Sequence, residues 1–224
     1  MTAVLRQLKP EIARERLIRT LERKGITDTR VLDAFRKVPR HEFVDGAMYA
    51  QAYDDNALPI GLGQTISQPY IVALMTQFLE LKDMRENEKI LEIGTGSGFQ
   101  AAILAQFSRR VYTIERHRPL GDAARKRLRR LGYENIVCKI GDGTRGWPQY
   151  APFDKIVVTA GAPVVPEELA KQLADDGRMV IPVGTREVQS LEVYSKRNGE
   201  LAKAAACDVV FVPLVGSGGW KESR

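Results

Sequence analysis

Three glycines at alternate positions, Gly94, Gly96 and Gly98, form the stretch of the sequence best suited to bind a ligand. They follow an apolar run at residues 89–93 and precede a helical pattern, so the sequence predicts a strand, a tight turn and a helix. Glycine lets the backbone turn sharply and approach a ligand closely, and the following helix directs unpaired N–H groups into the same space. The turn therefore predicts a site for a nucleotide-like cofactor.

Three acids at the ends of successive predicted strands indicate which cofactor this is. Glu92 immediately precedes the turn, where a carboxylate would repel a pyrophosphate and attract the amino group of an amino-acid moiety. Glu115 lies about 20 residues past the first glycine, where an acid can hydrogen-bond both hydroxyls of a ribose. Asp142, between Gly141 and Gly143, can accept from the exocyclic amine of adenine. Glu92 therefore favours S-adenosylmethionine, whereas an adenosine ribose at Glu115 fits either this cofactor or a dinucleotide.

The spacing of the turn argues against a dinucleotide. A dinucleotide-binding fingerprint has its third glycine at the position of Phe99, one residue beyond Gly98. A packing turn without a ligand is the alternative for a glycine loop alone, and the three acids make it the less favoured interpretation.

Apolar residues at helical spacing predict three helices before the turn. In the first helix, Ile12, Leu17, Ile18 and Leu21 are predicted to form the buried face, and Gly25 is predicted to end the helix. In the second helix, Val31, Leu32, Phe35 and Val38 are predicted to form the buried face, and Pro39 is predicted to end the helix. Pro69 begins the third, with Ser67 or Gln68 as its N-cap. Residues 54–67 form a loop that is too apolar for an idle surface linker.

After the turn, helix and strand patterns alternate and predict a doubly wound, mostly parallel α/β sheet of the Rossmann-like kind. The predicted helices cover residues 101–107, 116–130 and 166–174, and the predicted strands cover 110–114, 136–140, 153–159 and 178–183. A C-terminal β-hairpin turns at Asn198 and Gly199 and returns over residues 204–212.

The chain has 224 residues, 44% of them hydrophobic, which suits one domain. We expect residues 1–80 to form a helical cap, 81–184 the cofactor-binding core, and 185–224 the hairpin and tail. Because no apolar run reaches the ~20 residues of a membrane span and residues 1–10 lack a secretory signal, we expect no membrane contact and a cytoplasmic location.

Neither the cysteines nor the histidines have the spacing of metal ligands. Cys138 and Cys207 are far apart in apolar contexts, which predicts buried free thiols, and His41 and His117 are predicted at the surface or at helix caps. The net charge of +6 is concentrated in helical stretches at residues 14–24 and 116–130. Solvated helix faces explain this charge better than a nucleic-acid stripe does, although both interpretations stay open.

Seven segments occur in the same order as in the protein-L-isoaspartate O-methyltransferases, and the chain resembles a bacterial member of that family of class I methyltransferases. They are residues 57–61 (ALPIG), 63–69 (GQTISQP), 91–98 (LEIGTGSG), 141–143 (GDG), 153–154 (FD) with 158–160 (VTA), 181–184 (IPVG) and 211–214 (FVPL). Residues 64–67 and 211–214 are far more specific to the family than the glycine turn.

This resemblance implies a role for each matching position. Ser67 is implied as the active-site residue. The implied cofactor residues are Gln64, Thr65, Ile66, Glu92, Gly94, Thr95, Gly96, Ser97, Gly98, Glu115, Asp142 and Gly143. The implied substrate-binding residues are Leu58, Pro59, Ile60, Val212, Pro213 and Leu214.

The resemblance also implies a reaction: methylation of the α-carboxyl of L-isoaspartyl residues in damaged peptides and proteins, with S-adenosyl-L-homocysteine as the product. The methyl ester re-forms a succinimide, and hydrolysis returns some normal aspartate. A carboxylate is already ionised near neutral pH, so its methylation needs alignment more than a base, in keeping with the absence of a predicted catalytic histidine. We expect a monomer that uses no nucleic acid.

Two alternatives are a nucleic-acid methyltransferase and a non-catalytic adenosine-binding module. The first is disfavoured because residues 159–163 read TAGAP instead of the polar, proline and aromatic step of an amino-group methylase. Neither cysteine follows a proline, as a methylase of base carbon would require. Transfer of a labelled methyl group to an isoaspartyl peptide would exclude the second.

Overall fold

The computed structural model describes residues 9–81 and 88–222, and the structural statements below concern these residues. Their α-helices are α1 (Pro10–Arg23), α2 (Thr29–Lys37), α3 (Pro69–Phe78), α4 (Phe99–Leu104), α5 (Arg118–Arg130) and α6 (Glu167–Gln172). Their strands are β1 (Leu58–Gly61), β2 (Gln64–Ile66), β3 (Lys89–Ile93), β4 (Arg110–Glu115), β5 (Ile136–Ile140), β6 (Phe153–Val158), β7 (Leu173–Gly184), β8 (Gln189–Arg197) and β9 (Glu200–Val209).

The central sheet has seven strands in the order β5-β4-β3-β6-β7-β8-β9. The first five are parallel, β8 runs antiparallel to β7, and β9 runs antiparallel to β8. The predicted α/β fold and the C-terminal hairpin are therefore confirmed, and the hairpin extends the same sheet. The predicted return strand over residues 204–212 was misplaced, because β9 covers Glu200–Val209 and the chain then leaves the sheet.

Both faces of the sheet are covered by apolar side chains. Ile90 of β3 belongs to one buried cluster with residues of α1 to α4, whereas Leu91 and Ile93 belong to a second cluster with Leu169 of α6. This alternation follows from the two-residue period of a strand. With its faces covered, the sheet leaves the carboxyl ends of β3, β4 and β5 to meet at one edge, where such folds bind their ligands.

Several predicted elements differ in detail from the structure. The helix predicted over residues 166–174 ends at Gln172, because Leu173 already begins β7, which was predicted to start at residue 178. Ile12 is 51% exposed, so its assignment to the buried face of α1 was wrong. It lies in the first turn of α1, and the side chains that reach the core belong to later turns. The helix predicted over residues 101–107 begins earlier, at Phe99, because Gly98 has φ 90° and serves directly as its N-cap.

Residues 54–67, predicted as a loop, contain a small β-hairpin. Strands β1 and β2 pair antiparallel, with Leu58 opposite Ile66, and both of these side chains are buried. The turn between them has three residues of positive φ, from Gly61 at 90° through Leu62 at 53° to Gly63 at 68°. The apolar residues of this segment thus anchor a hairpin to the core.

The cysteine prediction was wrong for one of the two residues. Cys138 is half-buried, and burial raises the pKa of its thiol to about 11, but Cys207 is exposed on β9. His117 occupies the N-cap position of α5 without a side-chain cap bond. No helix among the described residues is long and apolar enough to cross a membrane, and none of their acid, cysteine and histidine side chains cluster as metal ligands.

Candidate active site

The turn after β3 takes the shape that its glycines predict. Gly94, Gly96 and Gly98 all have positive φ, at 98°, 51° and 90°. A Cβ on Gly94 would lie 2.4 Å from Oγ1 of Thr159, which donates hydrogen bonds to the carbonyl oxygens of Ile93 (3.0 Å) and Gly94 (2.8 Å). The turn is therefore held tightly against the end of β6, and only glycine fits there without displacement.

Glu115 links the end of β4 to this turn. Its carboxylate accepts hydrogen bonds of 2.8 Å from the backbone N–H groups of Gly96 and His117, one on each oxygen. The side chain is 5% exposed and lines the cavity beside the turn. Because each carboxylate oxygen can accept more than one bond, Glu115 keeps acceptor sites for a pair of ribose hydroxyls.

Glu92 lies beneath the turn and does not line the cavity. Its Oε2 accepts a 2.5 Å hydrogen bond from Thr113, whose hydroxyl is 2.6 Å from that of Thr95, and its Oε1 has no partner among the described residues. Complete burial raises the pKa of Glu92 to about 8, with the nearby charge of Glu115 adding to the rise and the Thr113 bond opposing it. The proposed contact with a cofactor amino group stays a prediction.

Asp142 has its carboxylate committed to other parts of the chain. Oδ1 accepts from the N–H and hydroxyl of Thr144, and Oδ2 accepts from the N–H and hydroxyl of Ser217 at 2.8 and 2.9 Å. Burial raises the pKa of Asp142, but the bonds from Ser217 and Thr144 outweigh it and lower the pKa overall. The neighbouring Gly143, not Asp142, lines the cavity. A direct bond from Asp142 to adenine stays a prediction.

Two adjoining cavities lie at this edge of the sheet. We call the one beside the glycine turn the cofactor cavity; the predicted site residues that line it are Gln64, Thr65, Ile66, Ser67, Gly94, Thr95, Gly96, Ser97, Glu115, Gly143, Val212, Pro213 and Leu214. We call the other the substrate cleft, after the role that we propose for it below; it is lined by Asn56, Ala57, Thr65, Ser67, Gln68, Ile71, Thr159, Val188 and residues 208–212. Thr65, Ser67, Thr159 and Val212 line both, so these four residues form the passage between the cavities.

Ser67 is half-buried at this passage, between β2 and α3. Its hydroxyl makes no hydrogen bond with any described residue and does not cap α3. Gln68 occupies the N-cap position, again without a side-chain cap bond. The cap comes from Asp55, whose Oδ1 accepts a 2.8 Å bond from the N–H of Tyr70. The prediction that Ser67 or Gln68 is the N-cap is therefore confirmed for the position of Gln68. Neither side chain makes the capping bond, so the Ser67 hydroxyl is available to a ligand.

The structure brings some of the implied site residues to the two cavities and leaves others outside them. The implied substrate residues Leu58, Pro59 and Ile60 line neither cavity, although the Ile60 side chain lies 3.4 Å from where a Cβ on Gly96 would be. Their substrate-binding role stays a prediction. The cofactor cavity also has lining residues that were not predicted: Val72, Ile93, Phe99, Gln100, Ile114, Arg116, His117, Thr159, Ala160 and Val215. Arg116 and His117 follow Glu115 directly, a position that could have suggested them.

The cofactor cavity fits S-adenosylmethionine. Gly94 leaves no room for a Cβ, Glu115 offers acceptors for ribose hydroxyls, and the N-terminus of α4 opens at the same turn. The residues that would hold the cofactor are Gly94 to Ser97 on one side and Glu115 and Gly143 on the other. Fold and site together define a class I, S-adenosylmethionine-dependent methyltransferase.

Comparison with known proteins narrows this class to one family. Residues 12–219 match the family described as protein-L-isoaspartate(D-aspartate) O-methyltransferase, and the chain belongs to that family. A relative named protein-L-isoaspartate O-methyltransferase from Geobacter metallireducens is 55% identical over 212 residues, 94% of this chain and 97% of the relative. A relative of the same name from Dictyoglomus turgidum is 51% identical over 214 residues, 96% of each chain.

Solved structures agree with this assignment. A protein-L-isoaspartate O-methyltransferase superposes with a TM-score of 0.82 at 30% identity, covering 92% of this chain and 67% of that one. A family member from Plasmodium falciparum, solved in complex with S-adenosyl-L-homocysteine, gives 0.76 at 26% identity and covers 90% and 97%. The chain is thus an enzyme that transfers a methyl group from S-adenosylmethionine to isoaspartyl residues in protein repair.

Proposed function

We propose that methyl transfer takes place at the passage between the two cavities, with Ser67 orienting the isoaspartyl carboxylate toward the cofactor. The observation that supports this most strongly is that Ser67 lines both cavities while its hydroxyl has no partner among the described residues. A serine hydroxyl can donate one hydrogen bond to a carboxylate oxygen and leave the other oxygen free to react. Ser67 acts by orientation and forms no covalent intermediate.

The chain's contribution to the reaction is alignment and the exclusion of water. When bound in the cofactor cavity, S-adenosylmethionine supplies an electrophilic methyl group on a sulfonium, which a carboxylate oxygen accepts without releasing a proton. Ser67 favours an anion at the passage because its hydroxyl can donate a hydrogen bond to a carboxylate oxygen. The N-terminus of α3 is already occupied by the carboxylate of Asp55, which accepts from the N–H of Tyr70. Holding two reactants in line converts a bimolecular encounter into an effectively unimolecular step.

The substrate cleft suits the main chain of a peptide. Val212 lies in both cavities, residues 208–212 line the cleft from the end of β9 onward, and Val210 among them is 75% exposed. Extended backbone next to aliphatic side chains can pair with a peptide main chain while making few demands on its side chains. The cleft therefore accepts isoaspartyl residues in many sequence contexts.

The partners that we propose are isoaspartyl peptides and proteins. We propose that the enzyme acts on them as a monomer in the cytoplasm and that it does not bind nucleic acid. On α5, Arg125 pairs with Asp122 and Arg130 pairs with Glu42, so part of the basic face is already neutralised. Arg127 of the same helix donates to the carbonyl oxygen of Ser97 in the cofactor turn. These contacts give Arg125, Arg127 and Arg130 structural roles.

A pair of matched peptides tests this proposal. The enzyme is incubated with methyl-labelled donor and either an L-isoaspartyl peptide or the same peptide with normal aspartate. We expect label only in the isoaspartyl peptide, as an ester that releases methanol in mild base. Equal labelling of both peptides, or base-stable label, would contradict the proposed site chemistry.

A further inference from the structure

Arg40 is a buried cation placed between the substrate cleft and the cofactor turn. It is 1% exposed and lies in a short 3₁₀ turn after α2 (Arg40–Phe43). Its Nη2 donates to the carbonyl oxygen of Ser67 at 2.8 Å and lies 3.5 Å from that of Asn56. Its Cζ is 4.7 Å from the ring centre of Phe99. One guanidinium thus touches three parts of the site.

These contacts of Arg40 connect the substrate cleft to the start of α4 beside the cofactor cavity. Asn56 and Ser67 line the substrate cleft, and Phe99 lines the cofactor cavity as the first residue of α4 after the turn. The Phe99 ring is itself held edge-to-face by Phe35 and Phe43, with ring centres at 5.6 and 5.5 Å. A rigid connection therefore runs from Ser67 through Arg40 to the cofactor turn.

Stability alone does not account for a guanidinium at this position. Its Nε and Nη1 have no hydrogen-bond partner among the described residues. The facing acid, Asp55, already accepts bonds from Tyr70 and Gln68 and pairs with Lys24 at 2.6 Å. Removing a cation from water is costly unless it is fully paired, and a well-packed neutral side chain is often at least as stabilising.

The charge of Arg40 persists at neutral pH and is close to where the substrate binds. Burial lowers the pKa of Arg40 to about 9, with the charge of Asp55 opposing the change, so the side chain is still a cation near pH 7. The substrate group that must reach Ser67 is a carboxylate. A positive charge behind the Ser67 peptide group favours an anion there, and the low polarity of the surroundings strengthens the attraction.

We propose that Arg40 is a positioning residue for methyl transfer, which fixes Ser67 relative to the cofactor turn and draws the substrate carboxylate to the passage. This inference rests on the function proposed above. It assigns two separable effects to one side chain. The hydrogen bond to Ser67 and the contact with Phe99 govern alignment and therefore kcat, whereas the charge governs substrate affinity and therefore KM.

Two substitutions separate these effects. Arg40→Met keeps the volume and apolar contact but removes the charge and hydrogen bonds; Arg40→Lys keeps the charge without the planar donor fork. Arg14→Met is the matched control, since Arg14 also donates to a backbone carbonyl, that of Arg36, but lies outside both cavities. Each variant is assayed for its unfolding midpoint, its Kd for S-adenosyl-L-homocysteine, and kcat and KM on an isoaspartyl peptide.

For Arg40→Met we expect an unchanged or higher unfolding midpoint, cofactor affinity within ~3-fold, and a kcat at least ~10-fold lower with a raised KM. Arg40→Lys should return KM toward the wild-type value while kcat stays low, and Arg14→Met should match the wild type. If Arg40→Met does not fold, Arg40→Lys alone tests the inference. A low kcat with a KM near the wild-type value would support the inference.

Wild-type kcat and KM in folded Arg40→Met, or wild-type kcat in Arg40→Lys, would overturn the inference while leaving the proposed function intact. A wild-type enzyme inactive on the isoaspartyl peptide would overturn both. The wild-type assay run in parallel therefore distinguishes the two failures.

Discussion

The carboxylate of Glu115 accepts a 2.8 Å hydrogen bond from the backbone N–H of Gly96, which joins the end of β4 directly to the glycine turn. The same carboxylate accepts a hydrogen bond from the backbone N–H of His117, so it connects two backbone segments that line the cofactor cavity. The shape of the turn therefore depends on the same side chain that we propose for recognition of the ribose.

Replacing Glu115 with Ala should weaken binding of S-adenosyl-L-homocysteine by ~1.5 to 3 kcal/mol, the usual scale for hydrogen bonds to a charged group. Glu115→Gln should lose less, because the amide oxygen can still accept one bond. Calorimetry gives the dissociation constants, with exposed Glu134→Ala as the control. An unchanged dissociation constant for Glu115→Ala would remove this residue from the cofactor site.

Glu92 should make stability fall as the pH rises. Its folded-state pKa, raised to about 8 by burial, lies above the ordinary value, so the folded protein holds a proton that the unfolded chain has released between about pH 5 and 8. Over that window the free energy of unfolding should decrease by up to about 1.4 kcal/mol per pH unit from this group. Below the window, the acid is protonated in both states and contributes no pH dependence.

Glu92→Gln should remove this dependence while keeping an acceptor for Thr113. Urea unfolding of both proteins at pH 6 and pH 8.5 checks the prediction. The free energy of unfolding of the variant, relative to that of the wild type, should be higher at pH 8.5 than at pH 6. Parallel changes in the two proteins would show that Glu92 is already ionised in the folded state at the lower pH.

Charge reversal on the basic face of α5 should leave methylation nearly intact. Substituting Glu for Arg125, Arg129 and Arg130 breaks only exposed pairs, such as that between Arg130 and Glu42, which are worth up to about 1 kcal/mol each. We expect kcat/KM on an isoaspartyl peptide within a few-fold of the parent. Arg127→Ala, which removes the bond to the Ser97 carbonyl, should instead weaken cofactor binding. Loss of activity in the folded triple variant would show that the basic face takes part in the reaction.

The glycine turn and Glu115 were predictable because their chemistry is local in the sequence. Glycines at alternate positions dictate a tight turn wherever they occur, and an acid at the end of a neighbouring parallel strand must lie beside it. The alternation of helices and strands along the sequence likewise predicted that the strands of the central sheet are mostly parallel. The C-terminal hairpin followed from Asn198 and Gly199, whose φ values of 50° and 80° suit a two-residue turn.

Features that depend on distant partners could not be predicted in this way. The cap of α3 comes from Asp55, and only the packing of the preceding segment brings that carboxylate to Tyr70. Arg40 carries no local sequence signal of burial, and only tertiary packing encloses it. Asp142 was correctly placed at the end of β5, but its bonds to Ser217 depend on a segment of the chain that lies beyond the last of the seven family segments.

Ser67→Ala provides the most direct measurement of the proposed site. The variant is compared with the wild type for turnover of an isoaspartyl peptide at saturating cofactor, with binding of S-adenosyl-L-homocysteine and the unfolding midpoint as controls. We predict a loss of at least ~10-fold in turnover, or ~1.4 kcal/mol of transition-state stabilisation, with residual activity and partial rescue by Ser67→Thr. Since Ser67 does not cap α3, the unfolding midpoint should barely change. Wild-type turnover in the folded Ala variant would contradict the role of Ser67 in orienting the substrate carboxylate.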